Sequence, residues 1–106
     1  MQNILVIDDD ASLRDTVAVI LENEGFHAIL ASDGRSGFEQ ALMLQPDLAL
    51  VDLRLPGMSG VEICKQLRAA NVKTPIIVLS AMGDELDKVL EELKQKETVN
   101  GRKKRE

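Results

Sequence analysis

Two hydrophobic periods alternate along the chain: short continuous apolar runs, then stretches in which apolar residues return every three or four positions. Residues 3–7 are too few for a helix and rich in branched side chains, which predicts a buried strand halted by Asp8-Asp9-Asp10. Leu13, Val17, Ile20 and Leu21 follow at helical spacing and predict a helix over 12–24, with Gly25 where a C-terminal cap glycine belongs. Residues 27–31 predict a second strand. The turn signal Ser32-Asp33-Gly34 comes next, then a helix with Phe38, Ala41 and Leu42 on one face, closed by Pro46. Residues 48–51 predict a third strand ending in Asp52. The loop Pro56-Gly57-Met58-Ser59-Gly60 leads to a helix over 61–70, and residues 76–79 predict a fourth strand ending before Ser80.

From Asp84 the pattern is helical again, with Leu86, Val89, Leu90 and Leu93 forming an apolar stripe among Glu and Lys. Beyond Lys96 there is neither an alternating nor a continuous apolar run, and Asn100-Gly101 is a breaker signal, so a fifth strand is not visible. Strands separated by helices of about a dozen residues predict crossover connections. The fold class is therefore α/β: a doubly wound parallel sheet with helices on both faces, whose ligands sit at the carboxyl ends of the strands.

Composition sharpens this picture. A chain of 106 residues holds one domain, and 44% hydrophobic with 29% charged residues is a globular balance. Two Phe and no Trp or Tyr leave a core of Leu, Ile, Val, Met and Ala and no stacking platform for single-stranded nucleic acid. The net charge of −5 is uneven: residues 98–106 hold four of the 13 basic groups against one of the 18 acids. The body would repel nucleic acid, and a basic tail without a folded reader gives only weak, salt-sensitive binding, so no direct nucleic-acid binding is expected. One Cys excludes an intramolecular disulfide, no basic-then-apolar leader opens the chain, and no stretch approaches the length of a membrane span. The expectation is a cytoplasmic protein without membrane partners.

The chemistry gathers at the strand ends. Asp8 and Asp9 follow the first strand, Asp52 ends the third and Ser80 follows the fourth. Three crowded carboxylates raise one another's proton affinity unless a cation neutralises them. Oxygen ligands in small number suit Mg²⁺ or Mn²⁺ rather than Zn²⁺, since neither His27 nor Cys64 has a ligand partner in sequence. His27 reads as a strand-surface residue, Cys64 as a half-buried small hydrophobe, Asp10 as a helix cap, and Gly57 and Gly60 as loop-shaping glycines. A carboxylate beside such a metal is a competent nucleophile toward phosphorus, and Asp52 is the candidate; a hydroxyl at Ser80 could sense the phosphoryl group.

Three ordered segments, Ile4-Leu5-Val6-Ile7-Asp8-Asp9, residues 46–60 around Asp52, and Pro75-Ile76-Ile77-Val78-Leu79-Ser80-Ala81, resemble the receiver domain of bacterial two-component response regulators. The resemblance covers residues 2–90. It implies a flavodoxin-like fold with strand order 2-1-3-4, the fifth strand and last helix being absent or replaced. It implies Asp52 as phosphoacceptor, Asp9 as a direct Mg²⁺ ligand with Asp8 acting through water, the backbone carbonyl of Arg54 as a further ligand, and Ser80 as the switch hydroxyl. The partners implied are a histidine kinase, or a small acyl phosphate, as phosphodonor and a downstream effector. No enzyme activity is implied beyond self-phosphorylation from a donor and slow self-dephosphorylation.

Two departures from the family pattern bear on switching: the phosphate-contacting lysine of the fifth strand has no counterpart, and the last helix is absent. Arg102, Lys103 and Lys104 have no strand before them and no Pro after them, so the family's phosphate-contacting lysine is not assigned to any of them. The expected organisation is a receiver domain over residues 1–97, truncated after its fourth helix, and a disordered basic tail over 98–106. A missing fifth unit would uncover apolar surface and an unpaired strand edge, which predicts a homodimer through the Leu86, Val89, Leu90, Leu93 stripe. Two competing readings are a phosphatase-like enzyme, disfavoured because Leu53-Arg54 rather than a second acid follows Asp52, and an atypical or truncated receiver acting as a non-phosphorylated dimerisation or interaction module.

Overall fold

The computed structural model describes residues 2–79 apart from 54 and 56. Strands β1 (Asn3–Ile7), β2 (His27–Ala31), β3 (Leu48–Asp52) and β4 (Ile76–Leu79) alternate with helices α1 (Ala11–Asn23), α2 (Gly34–Leu44) and α3 (Gly60–Ala69). The four strands form one parallel sheet in the order β2-β1-β3-β4, the expected flavodoxin-like arrangement. The helix expected from Asp84 with its Leu86, Val89, Leu90, Leu93 stripe, the tail over 98–106, and any fifth strand lie outside the described residues.

The apolar runs are continuous because the central strands are covered on both faces. On one face Ile4, Val6, Leu48 and Leu50 pack under Val17 and Leu21 of α1, with Leu79 in the same cluster. On the other, Leu5, Ile7, Ala49 and Val51 pack under Ala41 of α2 and Ile63 and Leu67 of α3. Each fully buried Val, Leu or Ile among them stabilises the fold by about 1.5–3 kcal/mol relative to exposure. β2, at the sheet edge, shows why its signal is weaker: of its five residues only Ala31 is fully buried.

Local chemistry sets the boundaries. Asp10 caps α1 by accepting from Leu13 N at 3.1 Å, so the helix begins at Ala11, one residue before the spacing alone predicts, and it hands over at Glu24 to Gly25 at φ 93°. Ser32-Asp33-Gly34 is a cap rather than a free turn: Asp33 accepts from Ser36 N at 2.7 Å and Gly34 is the first helical residue. Ser59 caps α3 in the same way through Glu62 N, which brings Gly60 into the helix. At the amino ends of the strands, Asp47 accepts from Asn3 N at 2.7 Å and donates its own N–H to Asn3 O, fixing the start of β3 against β1. No helix among the described residues is long and apolar enough to cross a membrane.

Candidate functional site

The parallel register brings the acids together. Ile7 pairs with Ala31 on one side and Val51 on the other, so Asp8 leaves β1 level with the last residue of β3, Asp52, which itself pairs with Leu79. Asp8, Asp9 and Asp52 each offer a carboxylate oxygen within 4.8 Å of the others. This is the cluster expected from the strand ends. Ser80, which follows Leu79, and the carbonyl of Arg54 lie outside the described residues.

The three carboxylates occupy different environments. Asp9 is exposed, Asp52 half-buried, and Asp8 only 1% exposed. The turn after β1 holds Asp8 from several sides: its N–H donates to Ala31 O at 3.1 Å, its Oδ1 accepts from Asp10 N at 2.9 Å, and its carbonyl accepts from Arg14 Nη1 at 2.8 Å. Its Oδ2 is buried with no hydrogen-bond partner, alone in this among the described side-chain atoms. Burial therefore pushes the Asp8 carboxyl above its ordinary range; the Asp10 N–H works against this, and the charges of Asp52, Asp9 and Asp10 add to it. A buried carboxylate oxygen without a donor, facing two further carboxylates, fits a hard cation.

Gly60, expected to shape the loop, instead opens α3, while the other candidates fall where the sequence suggests. Asp10 serves the helix, with its carboxylate on Leu13 N. His27 is exposed on β2 and lies 3.7 Å from Glu22, and Cys64 is half-buried on α3. Arg14 is a neighbour of the site that the apolar pattern does not single out; its one sequence signal is a basic residue in the first turn after the Asp8-Asp9-Asp10 run.

Comparison with known proteins agrees with this geometry. The response regulator receiver domain pattern matches residues 4–98, and the chain belongs to that family. It is 45% identical over 89 residues to the DNA-binding response regulator MtrA of Mycolicibacterium paratuberculosis, a match covering 84% of this chain and 39% of that protein. It thus spans well under half the length of the curated relatives it matches. Its fold superposes with a TM-score of 0.71 and 29% identity on the receiver domain of the sensor histidine kinase PA1611 from Pseudomonas aeruginosa, solved with a magnesium ion coordinated in its active-site cleft; 76% of this chain and 67% of that one are covered. The chemotaxis response regulator CheY4 of Vibrio cholerae aligns with a TM-score of 0.70 and 27% identity over 85% of this chain and 80% of that one. Receiver domains are signalling modules in two-component systems, and that is the class of this chain.

Proposed function

We propose that Asp52 accepts a phosphoryl group from the phosphohistidine of a kinase, or from a small acyl phosphate, while Asp8, Asp9, Asp52 and the carbonyl of Arg54 hold Mg²⁺ or Mn²⁺. The observation that carries this reading is the three-carboxylate cluster whose buried Asp8 Oδ2 lacks a donor. All-oxygen donors with room for water suit Mg²⁺, the ion reported in the PA1611 receiver domain. When bound, the ion supplies positive charge that screens the carboxylates from an incoming anionic phosphoryl group.

The chain's own residues do the rest. An Asp52 carboxylate oxygen forms the new bond to phosphorus, the phosphorus–nitrogen bond of phosphohistidine breaks, and the departing imidazole takes a proton from solvent. Asp9, which is exposed, would hold the ion directly, and the buried Asp8 would hold it through water. Ser80, next in sequence after the Leu79 that pairs with Asp52, receives a phosphoryl oxygen through its hydroxyl and reports occupancy to a downstream effector. The receiver occupies residues 1–97, with 98–106 a basic tail.

Incubation of the full chain with acetyl phosphate and Mg²⁺, followed by intact-mass spectrometry, tests this. One added phosphoryl group in the unaltered chain and none in Asp52→Asn is expected. Equal uptake by Asp52→Asn would overturn the assignment.

A further inference from the structure

Arg14 grips the turn that carries Asp8 and Asp9 at both ends. Its backbone N–H donates to Asp10 O at 2.8 Å, the first hydrogen bond of α1, and its Nη1 donates to Asp8 O at 2.8 Å. The half-buried Arg14 side chain reaches the main-chain carbonyl of Asp8, a member of the three-carboxylate cluster. The Asp8 carbonyl belongs to the peptide plane whose other end is Asp9 N, so fixing that oxygen fixes the plane from which the Asp9 side chain departs. Asp8 is also held through its N–H and its Oδ1. Asp9 is exposed, and the two peptides that flank it tie it to the frame: the Asp9–Asp10 peptide through the Asp10 N–H on Asp8 Oδ1, and the Asp8–Asp9 peptide through Arg14.

We propose that Arg14 is a positioning residue for the acidic site, holding the Asp8–Asp9 peptide so that the Asp9 carboxylate meets a divalent cation together with Asp8 and Asp52. This rests on the metal-binding reading above. Its consequence runs against simple electrostatics. A guanidinium this close repels an incoming cation, so by charge alone its removal should tighten metal binding. If Arg14 acts by position, its removal weakens binding, and groups that orient metal ligands from behind typically contribute 10–100-fold in affinity.

The sign of the change is the test. Mg²⁺ affinity of the full chain, measured by isothermal titration calorimetry well below the unfolding midpoint, is expected to fall about 10-fold in Arg14→Gln. Arg14→Lys keeps the charge but replaces the planar fork by a compact ammonium with three rotatable donors, and its affinity is expected to fall as well. If Arg14→Gln does not unfold cooperatively, Arg14→Lys decides the matter alone, because its charge is unchanged. Unchanged or tighter binding in the folded variants overturns the assignment. Asp9→Asn separates the two readings: if it binds Mg²⁺ as the unaltered chain does, the metal site itself falls and the Arg14 role with it. If it loses binding while Arg14→Gln keeps or gains it, only the Arg14 role falls.

Discussion

Gly34, the first residue of α2, stands so close to Met58 that a β-carbon at position 34 would overlap the Met58 carbonyl. The contact ties α2 to the loop that leaves Asp52, so that loop is held from outside the sheet as well as by β3. Gly34→Ala therefore forces the loop or the helix to shift and should cost about 1–3 kcal/mol of stability. Urea denaturation would show it as a lower midpoint at unchanged slope. The same variant should take up phosphate from acetyl phosphate more slowly; stability and rate both at the unaltered level would show that the contact is slack.

Asp8 sets a pH dependence whose sign follows from burial. Its carboxyl is held above the ordinary range in the folded chain, so between the unfolded and folded values the native state binds the extra proton. Stability of the metal-free chain should therefore rise as pH falls from neutrality into that window, and the penalty is fully present above it. Asp8→Asn should raise the metal-free melting temperature at pH 7 and remove this part of the pH dependence. Melting curves across pH, with chelator present, check both.

Mg²⁺ should oppose that penalty. A ligand bound only by the folded state, at roughly 10-fold excess over its Kd, stabilises by about 1.4 kcal/mol. Asp9→Ala should lose most of this gain. A melting temperature indifferent to millimolar Mg²⁺ would contradict the metal site.

Arg68 has a different task from Arg14. It donates to Val72 O at 2.8 Å and to Thr74 O at 2.9 Å, while Thr74 donates its hydroxyl to Pro46 O at 2.8 Å, so the α3–β4 connection is pinned far from the acids. Arg68→Ala leaves two carbonyls without their charged donor and should cost roughly 1–3 kcal/mol. Mg²⁺ affinity should not change, which a titration of the folded variant would verify.

Most of the architecture is legible in the sequence alone. Residues 3–7, 27–31 and 76–79 are strands as their apolar runs predict, and the acids at the ends of β1 and β3 meet because parallel strands in one sheet present all their carboxyl ends along one edge. Helices start one residue before the apolar spacing implies where a side chain rather than periodicity decides, as Asp10 does for α1 and Ser59 for α3. Periodicity reports which face is buried, and it is silent about the first backbone N–H groups that a cap must satisfy.

The sequence by itself determined the alternation of strand and helix, the parallel sheet and the set of acids at its edge, because these depend on residue type and on spacings of a few positions. Tertiary structure alone decided how those acids differ. Asp8 and Asp9 are chemically identical neighbours, yet one is buried with an oxygen lacking a donor and the other is exposed. Arg14 reaches back to the Asp8 carbonyl, and Gly34 meets Met58 across 24 positions of chain. Burial and hydrogen-bond partners are set by which distant segments pack over a residue, and no local pattern encodes that packing.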